Sequence, residues 1–183
     1  GVYGAHWPAE YGGTGVPGNV PFDAFHGLIL SDELARCAAG GLIAALYCID
    51  IGLPPLLSGG REEVKREVAT QVIRGEEIIA LAVTEPAGGS DVARVTTSAK
   101  KVKGRDGEEY YVVNGEKKYI TNGCRADYYT TVVRTGGEGM AGISVLLIPA
   151  RSKGITARRM KTQGLSVHLC LHLFSHFSFR CFL

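Results

Sequence analysis

A surplus of charge of either sign is missing from this chain. Twenty Lys and Arg stand against 18 Asp and Glu, a formal net charge of +2 over 183 residues. So small a balance gives no argument for nucleic acid or an acidic membrane surface as partner. Close cysteine pairs are missing too. Cys37, Cys48, Cys124, Cys170 and Cys181 are an odd, scattered set. That pattern points to a reducing, intracellular compartment and away from a disulfide framework or a zinc site, without separating mitochondrial, peroxisomal and cytoplasmic settings. The chain opens on Gly1, with no methionine and no basic-then-apolar leader, and is expected to be a piece of something longer.

What is present falls into two grammars. "HWPAEYGGTGVPG" is an irregular loop in which Trp7 and Tyr11 read as packing anchors. Its glycines Gly12, Gly13 and Gly15 follow no strand, so a dinucleotide fingerprint is not expected. His6 and His26 show no obvious partners. Phe22, Phe25, Ile29 and Leu34 recur at helical spacing up to Cys37. A second apolar helix is expected over Gly41 to Ile51, stopped by Pro54-Pro55. A third, capped by Ser58, carries the stripe Val64, Val68 and Val72 and ends at Gly75. Its charged run Glu62 to Glu67 reads as a solvated face.

Beyond Gly75 the pattern is that of strands. "IIALAV" reads as buried; "VTTSAKKVKG", "YYTTVVR", "ISVLLIP" and "GITARRM" follow. Asp106-Gly107 and Asn114-Gly115 carry hairpin signals. The expected architecture is α+β: a partial N-terminal helical domain over 1–75, then a small antiparallel, barrel-like β domain over 76–164. The stretch 165–183 breaks with both. It has no glycine and no acid, and 12 of its 19 residues are apolar. It reads as an aberrant tail foreign to the fold. His168, His172 and His176 fall at i, i+4 and i+8, a helical metal-binding spacing, but no carboxylate accompanies them. The same residues alternate as a strand would, and no metal site is expected.

Two motifs carry the chemistry. "LAVTEPAGGSDV" ends an apolar strand on Thr84-Glu85-Pro86, then Ala87-Gly88-Gly89 and Ser90-Asp91. Proline fixes the turn, and the small residues allow backbone N–H groups to approach a ligand. Ser90 and Asp91 can bond a ligand or hold the loop. "NGEKKYITNGCRAD" follows some thirty residues later. The two together, with "PAEYGGTG" and "RRMKTQG" in order, resemble the acyl-CoA dehydrogenase family over roughly Gly1 to Gly164.

The resemblance implies non-covalent FAD and a fold that continues in a C-terminal helical domain. It implies that Leu81, Ala82, Val83 and Thr84 meet the flavin ring, with Thr84 bonding toward its pyrimidine edge. Ser90 would lie near the flavin pyrophosphate and the acyl-CoA substrate. Tyr119, Ile120 and Thr121 would flank the ring, with Thr121 on flavin N5 and Tyr119 where many relatives have tryptophan. The implied reaction is α,β-dehydrogenation of an acyl-CoA to the trans-2-enoyl-CoA, as in fatty acid metabolism. Electrons would pass to an acceptor flavoprotein or oxygen, and full-length relatives are homo-oligomeric. Donors such as Thr84 and Thr121 would stabilise the charge a flavin gains with hydride. The carboxylate base is implied to sit in the C-terminal domain. Glu85, Asp91 and Asp127 read as turn and loop residues, so no catalytic residue is assigned and the chain alone is expected to be inactive. Two other readings stay open: a non-catalytic flavin-binding or assembly module, and a variant attached to a membrane through its apolar tail.

Overall fold

The structure, a computed structural model, describes residues 2–104, 107–161 and 168–173. Short 3-10 turns at Val2–Gly4 and Ala9–Tyr11 open the chain and place Trp7 and Tyr11 in the interior. Helix α1, Ala24–Arg36, begins where Asp23 accepts the N–H groups of Phe25 and His26 at 3.0 and 3.1 Å. The periodic stripe expected here is helical yet open to solvent: Phe25 is 73% exposed, and no α1 residue is buried. Both histidines have carboxylate partners that their sequence neighbourhoods did not suggest: His6 meets Asp50 at 3.1 Å and His26 meets Asp23 at 2.6 Å.

The expected second helix is two, α2 (Gly40–Leu46) and α3 (Cys48–Gly52). The proline pair does more than stop it. Pro54 opens α4, Pro54–Gly59, in the first helical turn, where a missing N–H leaves no bond unmade. Ser58 therefore lies inside α4 and caps nothing. The next helical run starts after Arg61 with no side-chain cap: α5 (Glu62–Val64), a π-helical turn (Lys65–Ala69), and α6 (Thr70–Arg74). It ends at Gly75, which takes φ +77 while Glu76 N–H closes onto the Gln71 carbonyl at 2.9 Å.

Among the described residues seven strands make one sheet: β1 Ile79–Ala82, β2 Ser98–Lys103, β3 Glu109–Thr121, β4 Tyr128–Arg134, β5 Ile143–Pro149, β6 Ile155–Arg159 and β7 His168–Leu173. The order is β1-β4-β2-β3-β7-β6, with β5 also on β4. The sheet is mixed rather than antiparallel. β1 runs parallel to β4, from Ile79 opposite Tyr128 to Ala82 opposite Thr131, and β2 touches β4 in parallel at Ser98 and Arg134. The remaining pairings are antiparallel.

Asn114-Gly115 is no turn. β3 runs straight through it, pairing with β2 over 109–114 and with β7 over 115–121. Asp106, in the other expected turn, lies outside the described residues. Residues 168–173 depart from the foreign tail expected over 165–183. They form β7, between β3 and β6 in continuous register with β6, so these six residues belong to the sheet. His168 and His172 thus lie on a strand, not a helix, and His176 is outside the described residues.

Two apolar clusters hold this together. One lies within the sheet, around Ala82, Ile120, Tyr129 and Val133. The other joins Trp7, Tyr11, Leu53, Val68 and Val72 to Ile79 of β1 and Leu147 of β5, so the helices pack on the β1–β5 end of the sheet. Buried Thr130 secures that contact by donating its hydroxyl to the Gly52 carbonyl of α3 at 2.6 Å.

Candidate functional site

β1 ends at Ala82, and the next residues turn back at once. Glu85 N–H donates to the Gly88 carbonyl at 2.9 Å and Gly88 N–H returns to Glu85 at 3.2 Å, with Pro86 setting the corner. Gly88 thus commits its N–H to the turn itself. A Cβ on Gly89 would stand 3.2 Å from Thr84 Cγ2, so the loop folds down onto the Thr84 side chain. Ser90 follows on the exposed side, and Asp91 pairs with Arg94 at 3.3 Å on the surface.

Beneath this turn lies a polar cluster that sequence reading missed. The Glu85 carboxylate is buried and accepts four bonds. Thr97 N–H and Lys117 Nζ reach Oε1, both at 2.9 Å; Thr96 N–H and Thr96 Oγ1 reach Oε2 at 2.8 and 2.6 Å. Lys117 is fully buried and donates a second bond to the Val83 carbonyl at 3.0 Å. Burial alone would raise the Glu85 pKa; the donors from Thr96, Thr97 and Lys117 outweigh it and lower the value to about 2. Burial draws the Lys117 pKa down, opposed by the Glu85 charge. A signal for this pair existed. Strand alternation places Lys117 on the same face as buried Val113, and a lysine on a core face calls for an acid.

Immediately beyond Lys117, Lys118 N–H donates to the Thr84 carbonyl at 2.7 Å, tying the end of β1 to β3. Tyr119 then takes φ +59, a left-handed conformation that bulky residues rarely adopt. The β3–β7 register shifts there, because Lys118 faces Cys170 and Ile120 faces Leu169, which leaves Tyr119 as the bulged residue. Its ring is turned outward, 51% exposed, with Lys118 Nζ 4.9 Å from the ring centre. Ile120 returns to the core and Thr121 is half-buried at the strand end. The Thr121 carbonyl accepts the Cys48 thiol at 3.5 Å, and Asn122 Nδ2 donates to the Ala45 carbonyl at 2.8 Å, fastening this edge to α2 and α3.

The eight residues singled out from sequence therefore divide. The Thr84 backbone is bonded to Lys118, the residue before the Tyr119 bulge, and Val83 and Leu81 are half-buried. Ala82 and Ile120 are buried in the sheet core and can meet a ligand only through their backbones. Ser90 stands on the loop one residue past the contact with Thr84. The end of β1 and the outward Tyr119 ring of β3 thus adjoin, and together they form a shelf at the β1–β3 junction. Two clefts, of about 870 and 600 Å³, lie elsewhere: one between the Thr14–Asn19 loop and α1, the other where α2 and α3 meet Arg74 to Ile79. Thr84, Ser90 and Thr121 line neither.

Comparison with known proteins places this geometry in a family. Residues 1–76 match the acyl-CoA dehydrogenase N-terminal domain and residues 80–174 the acyl-CoA dehydrogenase middle domain. The chain belongs to the acyl-CoA dehydrogenase family. It is 43% identical over 155 residues to acyl-CoA dehydrogenase AFT10-1 of Alternaria alternata, covering 82% of this chain and 35% of that protein. It is 33% identical over 159 residues to cyclohexane-1-carbonyl-CoA dehydrogenase of Geobacter metallireducens, covering 85% of this chain and 38% of the other. The crystal structure of an acyl-CoA dehydrogenase complexed with FAD from Bacillus anthracis superposes with TM-score 0.80 at 28% identity, over 97% of this chain and 29% of that one. The chain thus spans about a third of the length of the curated relatives it matches.

Proposed function

We propose that this chain forms the flavin-contacting part of an FAD-dependent acyl-CoA dehydrogenase, which converts an acyl-CoA thioester to the trans-2-enoyl-CoA. The reading rests on the bond from Lys118 N–H to the Thr84 carbonyl at 2.7 Å, which sets the end of β1 beside the Tyr119 bulge. The residues present fit a flavin: an outward aromatic ring, half-buried threonines on either side, and a loop of small residues leading to Ser90. The chemistry that bound FAD supplies is acceptance of hydride from the acyl β-carbon.

The chain's own residues bind and orient. Thr84, two residues past the end of β1, and Thr121, the last residue of β3, would offer hydroxyl donors that stabilise developing negative charge with little reorganisation. Tyr119 would cover one face of the bound ring and exclude water from it. Ser90, exposed on its loop, would bind the phosphate and acyl-CoA side. The acyl group is left general, since a relative's name specifies an alicyclic substrate. Removal of the α-proton needs a carboxylate base, and Glu85 does not serve: it is saturated by donors and held ionised far below the useful range. We assign the base to sequence outside this chain. That commitment of Glu85 also favours a second reading, a flavin-binding module with no turnover of its own.

Titration of FAD into the purified polypeptide, followed by flavin fluorescence, tests the proposal. Weak saturable quenching, weaker still in Thr84→Val and Thr121→Val, is the expected result; absence of saturable quenching overturns it. Acyl-CoA oxidation with an artificial electron acceptor is expected to be undetectable. Turnover abolished by Glu85→Gln would return the base role to that residue.

A further inference from the structure

Glu85 and Lys117 take no part in the chemistry above, yet they are the most enclosed charges among the described residues: Lys117 is 0% and Glu85 5% exposed. Stability is a poor reason for such a pair. Two desolvated charges are commonly matched or bettered by apolar residues of similar volume, whereas position and register are the better attested uses of a buried ion pair. The bonding here points the same way. Lys117 Nζ divides its bonds between Glu85 Oε1 at 2.9 Å and the Val83 carbonyl at 3.0 Å, one residue before Thr84. Its chain neighbour Lys118 holds the Thr84 carbonyl, and the residue after that is the left-handed Tyr119. The other Glu85 bonds run to Thr96 and Thr97, at the entry to β2. Three separate segments are thereby locked at one point.

We propose that the Glu85–Lys117 pair positions the shelf: acting through the backbones of Val83–Thr84 and Lys118–Tyr119, it fixes the end of β1 against the strained bulge of β3. The inference rests on the flavin reading for its ligand, but not for its geometry. A residue in a sparsely populated conformation persists only where its surroundings over-determine it. The ion pair supplies that constraint from the inside of the sheet, where no ligand reaches. Both members are positioning residues.

The test uses the full chain and the double variant Glu85→Gln/Lys117→Met, which removes both charges while keeping their volumes, so that neither charge is left buried alone. Amide hydrogen exchange of the FAD-free proteins is read first. Faster exchange at Lys118, Ile120 and Thr121 in the variant, with β4 amides over Thr130–Val133 unchanged, is the expected result. Uniformly unchanged exchange overturns the proposal, and so does global unfolding of the double variant, because the pair would then be a general stabiliser. FAD is titrated second. The variant should bind about ten- to a hundred-fold more weakly, and at saturation its flavin absorption band should lose the shift that the unaltered chain induces. Equal affinity with an equal spectrum in a variant that still binds overturns the positioning role. Failure of the unaltered chain to bind FAD would overturn the flavin reading instead, leaving the exchange result to decide this one.

Discussion

Gly115 sits against Thr97 so closely that a Cβ there would lie 2.6 Å from the Thr97 Cα and 2.5 Å from its Oγ1. The glycine is also at φ +155, at the place where β3 leaves β2 for β7. Gly115→Ala should therefore destabilise the chain by about 2 kcal/mol or more, since backbone and not a flexible side chain must give way. Urea unfolding measures it. An unchanged midpoint would mean that β3 passes β2 with more room than the structure allows.

Acid should find the Glu85 carboxylate. Its folded pKa of about 2 lies below the ordinary 4.5, so the stability it contributes is complete above pH 4.5 and is lost as pH falls through 2. The full difference corresponds to about 3 kcal/mol. Stability plotted against pH should fall across that window, and the double variant Glu85→Gln/Lys117→Met, which leaves no charge buried alone, should flatten the slope there. A parallel slope in the variant would assign the acid sensitivity to other groups.

Tyr119→Gly should separate strain from binding. The left-handed backbone costs a residue with a Cβ about 1–2 kcal/mol, while the half-covered ring and the ordering penalty of glycine act the other way. Stability should therefore change by no more than about 1 kcal/mol, while flavin affinity falls with the lost aromatic face. A marked loss of stability would show that the ring packs more than its exposure suggests.

Removal of residues 165–183 should damage the shelf. β7 pairs with β3 from Gly115 to Thr121 and with β6 from Ile155 to Arg159. Without it both strands lose a hydrogen-bonded neighbour and present open edges. Amides over 115–121 should exchange faster, and the shortened chain should aggregate more readily. A truncated protein with unchanged exchange and better solubility would show that β7 is dispensable to the sheet.

Local signals read well where one segment decides the outcome by itself. The Val64–Val68–Val72 stripe and the left-handed Gly75 are properties of one continuous helical run, α5 through α6, and both appear as expected. The misses involve partners distant in sequence. Asn114-Gly115 has hairpin composition, but its glycine answers a steric demand from Thr97, 18 residues earlier. The parallel pairing of β1 with β4 joins residues 49 apart, and nothing in either strand's pattern announces it. Leu165 to Leu183 looks foreign by composition, yet His168–Leu173 within it pairs as β7. At the shelf, Thr84 and Tyr119 were legible as motif residues. The Glu85 pocket was not, because its donors come from two distant segments, Thr96–Thr97 and Lys117.

β3 has two neighbours in succession along its 13 residues, β2 for the first half and β7 for the second. Gly115, the crossing point, is pinned by steric contact rather than left to swing. A strand held this way behaves as a lever on a fixed fulcrum. A one-residue slip of the β2–β3 register, around Lys101 and Glu109 at the far end of the sheet, would rotate every later residue of β3 to the opposite face. It would then present Lys117 to solvent and drive Tyr119 inward. Substitutions in β2, well away from any ligand, can therefore silence the shelf without touching a residue on it.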